Sequence, residues 1–206
     1  MTIKNIVFDF GGVLIDWNPR YFYNGVFGDP KKADDFIKNI CTAEWNAQMD
    51  AGRTFAECIA ELQQEHPEYA HEIGLYFMGW TKMISGPIPE GVEMLKALHA
   101  SGKFNLYGLT NWSAETIGWA RKTFDFLQLF KLIVVSGEER LIKPEPLLYQ
   151  RMLFKTQSRA CETLFIDDNI KNVRAARAMG ITAVHLKDGD FAAAKAEIEQ
   201  ATGFKF

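Results

Sequence analysis

The amino-acid sequence predicts an α/β protein, a doubly wound parallel sheet with an all-helical segment inserted near its start. Three observations carry the prediction. Five short apolar runs lack two-residue alternation, helical stretches separate most of them, and a long segment after the first run shows helical periods without a convincing strand.

The runs are Ile6 to Phe8, Phe104 to Leu109, Leu132 to Val135, Leu164 to Ile166 and Ile181 to Leu186. A strand with one wet face alternates apolar and polar residues, whereas a strand covered by helices on both faces has no reason to. One helix runs from Val92 to Ala100 and stops near Gly102. Another runs from Asn172 to Met179 and stops at Gly180, a residue suited to a left-handed cap. Strand alternating with helix is the pattern of a parallel sheet.

The inserted segment, roughly Pro19 to Ile84, contains three helical stripes. Asp29 and Pro30 read as cap and first helical residue, with Ala33, Phe36, Ile37 and Ile40 on one face. Thr54 and Glu57 have the spacing of a capping box, in which each side chain satisfies an orphan amide of the other; Phe55, Cys58, Ile59 and Leu62 form the stripe behind them. The third stripe joins Ile73, Tyr76, Phe77 and Trp80, and Gly86-Pro87-Ile88-Pro89 then breaks the helix and returns the chain to the sheet. The sheet domain is therefore assigned to residues 1–16 and 87–206, and the helical cap to residues 17–86.

Bulk properties exclude several classes of function. The chain has 206 residues, 48% apolar and 24% charged, which argues against disorder and fibrous repeats. A net charge of -3 offers no surplus to displace counterions from a nucleic-acid backbone. Cys41, Cys58 and Cys161 are far apart, form no CxxC pair and read as reduced thiols; no segment approaches a bilayer span. The expectation is a cytoplasmic protein with no nucleic-acid or membrane partner, monomeric or weakly self-associating.

In an open α/β sheet the binding crevice lies beyond the carboxyl ends of the strands. The first run ends in IVFDFGGVL, with the Asp9 carboxylate at a strand end and Gly11 and Gly12 behind it to let the backbone approach a ligand. The second ends in LYGLTNWS, where Thr110, Asn111 and Ser113 offer helix-capping groups or donors to an anion. Lys143 follows the third run in LIKPEP, held out of helical geometry by Pro144. The fourth ends in LFIDDNIKNV, with Asp167 and Asp168 adjacent and Asn172 one turn further. One Asp suffices to cap a helix; a second beside it asks for a cation, and Mg2+ is a hard ion that takes such oxygen ligands.

Asp9, then Thr110-Asn111, then Lys143-Pro144, then Asp167-Asp168 with Asn172, in that order, resembles the haloacid dehalogenase superfamily of hydrolases. The resemblance spans nearly the whole chain. It implies a Rossmann-like core with a helical cap inserted after the first motif. By similarity, Asp9 attacks phosphorus to form an aspartyl-phosphate, Thr110 and the Asn111 amide hold the phosphoryl oxygens, and Lys143 bridges phosphate and nucleophile. Asp168, with Asp167 close behind, ligates Mg2+ together with the Asp9 carboxylate and the Gly11 carbonyl. The implied activity is Mg2+-dependent hydrolysis of a small phosphorylated metabolite.

Two rival readings are a metal-independent 2-haloacid dehalogenase and a non-catalytic phosphate-binding protein on the same fold. The dehalogenase branch typically carries serines in place of Asp167 and Asp168, and a tyrosine in place of Gly11. Gly11 also departs from the usual phosphatase pattern, where a second Asp supplies acid-base catalysis, whose loss typically costs about 10²- to 10⁴-fold. An acidic leaving group would need less help, and glucose-1-phosphate phosphatases of this family also carry Gly here, so a sugar 1-phosphate is the narrower expectation. Asp16 lies near the expected hinge between core and cap. Trp17, Trp45, Met49 and Trp80 are candidates to meet the leaving group, with Trp45 and Met49 preferred; the four histidines show no metal-like spacing.

Overall fold

The structure, a computed structural model, describes residues 2–206. Among them are seven strands: β1 (Asn5–Phe8), β2 (Ile15–Trp17), β3 (Ile84–Pro87), β4 (Asn105–Thr110), β5 (Leu132–Val135), β6 (Thr163–Asp167) and β7 (Thr182–His185). Five form one all-parallel sheet in the order β5-β4-β1-β6-β7, and β2 and β3 form a separate antiparallel ribbon. The five apolar runs are the five sheet strands.

Strand β1 shows why its sequence does not alternate. Ile6, Val7 and Phe8 are all fully buried. Ile6 and Phe8 pack into one apolar cluster with Phe10, Phe130 and Leu164, while Val7 points the other way to Leu109, Tyr149 and Phe165. Each such side chain contributes about 1.5–3 kcal/mol on burial, on either face.

The first six α-helices lie in the inserted segment: α1 (Arg20–Phe27), α2 (Pro30–Asn39), α3 (Ala43–Asp50), α4 (Phe55–Glu65), α5 (Ala70–Gly74) and α6 (Tyr76–Gly79). The rest alternate with the sheet strands: α7 (Pro89–Ala100), α8 (Ile117–Thr123), α9 (Ser136–Glu139), α10 (Pro146–Lys155), α11 (Ile170–Ala178) and α12 (Phe191–Thr202). The caps follow the sequence closely. Asp29 accepts from the Lys31 N–H at 2.9 Å with Pro30 opening α2, and Thr54 and Glu57 form the reciprocal box that starts α4. Gly102 and Gly180 take the left-handed backbone conformation after α7 and α11.

Two expectations are corrected. The third stripe is not one helix but α5, α6 and a 3-10 turn over Trp80–Met83; Ile73, Tyr76 and Trp80 are buried, whereas Phe77 is exposed. Gly86 and Pro87 are not a simple break, because Ile84–Pro87 is a strand paired with Ile15–Trp17. Where the chain leaves the sheet domain and where it returns are thus hydrogen-bonded to each other. Asp16 sits in that ribbon opposite Gly86, and its Oδ2 accepts from the Tyr21 hydroxyl at 2.7 Å.

Candidate active site

Asp9 is the first residue beyond β1. Phe8 is in register with Ile166, and the Asp9 N–H donates to the Ile166 carbonyl at 2.9 Å, extending the ladder by one step. That register sets Asp9 beside Asp167, the last residue of β6. Lys143 joins them, its Nζ lying 2.8 Å from Asp9 Oδ1 and 2.7 Å from Asp167 Oδ2 with the side chain 1% exposed. The loop that delivers it is clamped by Asn111, which donates from Nδ2 to the Lys143 carbonyl at 3.0 Å and accepts at Oδ1 from the Lys143 N–H at 2.9 Å. The Asn111 side chain is therefore committed to holding Lys143.

Asp167 is equally committed. Besides Lys143, it accepts from the Asn169 N–H at 2.8 Å and from Asn172 Nδ2 at 3.1 Å on each oxygen. Asp168, by contrast, is exposed and faces the glycine turn after β1. At Gly12, where φ is +68°, a Cβ would lie 2.3 Å from Asp168 Oδ2, so close approach and backbone conformation both require glycine. A Cβ at Gly11 would meet nothing within 4 Å.

The charges do not balance among the protein's own groups. Ligand oxygens of Asp9, Asp167 and Asp168 lie within 4.8 Å of one another, against the single ammonium of Lys143. Burial pushes the Asp9 carboxyl well above the ordinary range; Lys143 opposes the shift, and the like charges of Asp167 and Asp168 add to it. Burial alone would pull the Lys143 pKa down, but Asp167 and Asp9 outweigh it and hold it above its usual value. A hard divalent cation fits this all-oxygen, anion-rich set. The Thr110 hydroxyl, at the end of β4, is buried with no hydrogen-bond partner among the described residues, an orphan that a phosphoryl oxygen would satisfy.

Asp9, Gly11, Lys143 and Asp168 open onto a cavity of about 310 Å³. The opposite wall comes from the inserted segment and the ribbon: Trp17, Asn46, Asp50 and Trp80. Trp45 and Met49 do not reach it, which corrects the preferred pair. Trp45 packs edge-on against Tyr76 at 4.7 Å and donates from Nε1 to the Cys58 carbonyl at 3.3 Å, while Met49 is fully buried. The phase of α3 explains the miss. Its apolar face, carrying Trp45 and Met49, closes the cap's own core, and the polar pair Asn46 and Asp50, also four residues apart, faces the cavity. That spacing just before Gly52 was the available signal.

The sheet order thus brings the carboxylates and the bridging lysine together at one set of strand ends. A family model described as haloacid dehalogenase-like hydrolase matches residues 3–180, and the chain belongs to that family. It is 29% identical over 188 residues to the sesquiterpene phosphatase astK of Aspergillus oryzae, covering 91% of each chain. A haloacid dehalogenase family enzyme of Bacteroides thetaiotaomicron, solved in complex with magnesium and inorganic phosphate, superposes with a TM-score of 0.68 at 23% identity over 91% of this chain and 96% of that one. The L-2-haloacid dehalogenase of Xanthobacter autotrophicus shares the fold with a TM-score of 0.63 at 15% identity over 89% and 77%. No helix among the described residues is long and apolar enough to cross a membrane.

Proposed function

We propose that the protein is a Mg2+-dependent phosphomonoester hydrolase that works through an aspartyl-phosphate on Asp9. The observation that carries this reading is the clustering of the Asp9, Asp167 and Asp168 oxygens within 4.8 Å of one another, with one buried lysine bridging Asp9 and Asp167. Asp9, Asp168 and the Gly11 carbonyl would hold Mg2+, with Asp167 behind them. When bound, the ion would draw in the phosphate dianion and stabilise the charge that develops in phosphoryl transfer.

The protein groups divide the remaining work. Lys143 opposes the burial that raises the Asp9 carboxyl, favouring its charged form, and aims one of its oxygens. Thr110 Oγ1 and the backbone N–H of Asn111 hold the phosphoryl oxygens, since the Asn111 side chain is occupied with Lys143. Asp167, with all its partners satisfied, fixes Lys143 rather than reaching for substrate. A metal-free dehalogenase would have to bind an anionic haloacid beside these carboxylates, which disfavours that rival.

We assign the core to residues 1–16 and 87–206 and the cap to 17–86, joined through the β2–β3 ribbon. The indoles of Trp17 and Trp80 suit a compact leaving group with an apolar face, of which a sugar 1-phosphate is the narrower reading. The sesquiterpene phosphatase among the relatives makes prenyl monophosphates the informative comparison.

Steady-state turnover of p-nitrophenyl phosphate, with magnesium and then with EDTA, tests the class. Turnover should vanish with EDTA and in Asp9→Asn; full activity in either case contradicts the proposal. A panel of sugar 1-phosphates, sugar 6-phosphates and prenyl monophosphates tests the narrower reading, which is wrong if 1-phosphates are not preferred.

A further inference from the structure

We infer that Asp50, delivered from the cap, is the general acid and base of the reaction, standing in for the carboxylate that Gly11 lacks. This inference rests on the phosphatase reading above. The carboxyl groups lining the cavity are Asp9, Asp50 and Asp168. Asp9 is the nucleophile and Asp168 belongs with the cation, which leaves Asp50. Other candidates are spent elsewhere: His185 uses Nε2 on the Asp168 carbonyl at 2.9 Å, and Asp16 is held by Tyr21 in the ribbon.

Asp50 is positioned from both domains. It is the last residue of α3, and Asn46, one turn earlier, donates from Nδ2 to its Oδ2 at 3.0 Å. Asn46 is in turn oriented by the Tyr76 hydroxyl, which donates to Oδ1 at 2.9 Å. The Asp50 carbonyl accepts from the Ser136 hydroxyl at 2.6 Å, and that hydroxyl accepts from the Trp112 N–H at 2.9 Å, tying the end of the cap helix to the core. Gly52, at φ +98°, passes so close to Gly137 that a Cβ would lie 3.0 Å from its carbonyl oxygen. An acid delivered from the inserted segment needs such anchoring to act on a bond held by the core. Burial raises its carboxyl to about 7, with Lys143 and the Ser113 N–H opposing, so both protonation states are within reach near neutrality.

Atoms and protons balance over two half-reactions. An Asp9 oxygen bonds to phosphorus as the ester P–O bond breaks, and the departing oxygen takes its proton from Asp50. The Asp50 carboxylate then takes a proton from water as the water oxygen bonds to phosphorus. The bond from Asp9 to phosphorus breaks, releasing inorganic phosphate and restoring both carboxyls.

The experiment is a leaving-group series of phosphate monoesters from alkyl to dinitrophenyl, read as kcat/KM, for wild type, Asp50→Asn and Asp50→Asn with Gly11→Asp. Wild type should depend weakly on leaving-group pKa. Asp50→Asn should lose about 10²- to 10⁴-fold on alkyl esters and under about tenfold on the dinitrophenyl ester, whose leaving oxygen needs no proton. Gly11→Asp, with open space for its Cβ, should restore part of the alkyl activity. Equal losses across the series, or none, overturn the inference, as does a steep wild-type dependence, which reads out even if the variant does not fold. Failure of the phosphatase reading is separate: wild type would show no magnesium-dependent turnover of any ester.

Discussion

Replacing Lys143 with Met removes one charge while keeping chain length, so it isolates the ion network. The ammonium is buried between Asp9 at 2.8 Å and Asp167 at 2.7 Å. Each pair is worth roughly 6 kcal/mol of gross Coulomb energy at an effective dielectric of about 20. Desolvation offsets much of that, but a variant that has lost the cation still carries the desolvated carboxylates, and breaking such a pair costs about 3–5 kcal/mol. For a chain of this size each kcal/mol moves Tm by roughly 2–4 °C, so a fall of about 6–20 °C is expected. Urea unfolding in EDTA, followed by tryptophan fluorescence, measures it. Added magnesium should recover part of the loss in Lys143→Met, because the ion replaces the missing positive charge. A loss below about 1 kcal/mol would mean that the buried triad does not hold in the folded protein, and the reasoning about Asp9 would fail with it.

The remaining predictions concern single residues in the pocket or next to it in the chain. Thr110→Val should stabilise the free protein by about 1 kcal/mol, since it removes a buried hydroxyl without a partner, yet lower kcat/KM about a hundredfold; paired urea and steady-state measurements check both signs. Gly12→Ala should destabilise by about 1–3 kcal/mol and abolish turnover through its clash with Asp168, whereas Gly11→Ala should fold with nearly unchanged stability in the same urea assay. For Asp50 the sign follows from its raised pKa. The folded state keeps a proton that the unfolded chain releases near pH 4, so the stabilisation is complete below that pH and is lost as pH rises through about 7. The loss amounts to at most roughly 4 kcal/mol, and Asp50→Asn should flatten it when unfolding is compared at pH 5 and pH 8.

Much of this arrangement is legible in the amino-acid sequence. Buried strands and amphipathic helices leave periodic signatures, so the five sheet strands and the Asp29 and Thr54 caps follow from local patterns alone. Asp9, Lys143 and Asp167-Asp168 are legible because each closes an apolar run or follows one. The features that escape such reading depend on contacts between distant segments. The β2–β3 ribbon is three or four residues per strand and pairs Ile15–Trp17 with Ile84–Pro87, so no local period announces it. The division of labour between Asp167, tied up with Lys143 and Asn172, and the open Asp168 is a matter of which neighbour arrives. The exchange of Trp45 and Met49 for Asn46 and Asp50 is a rotation of one residue on α3, decided by which face the cap's aromatic core claims.

The central claim is that Asp9 carries the phosphoryl group covalently. Acid-quenching the enzyme during turnover, reducing it with borohydride and sequencing the peptides by mass spectrometry tests this directly, because an acyl phosphate is reduced to the alcohol. Homoserine is expected at position 9, dependent on substrate and magnesium. An unmodified Asp9 under conditions of rapid turnover, or reduction at another carboxylate, would contradict it.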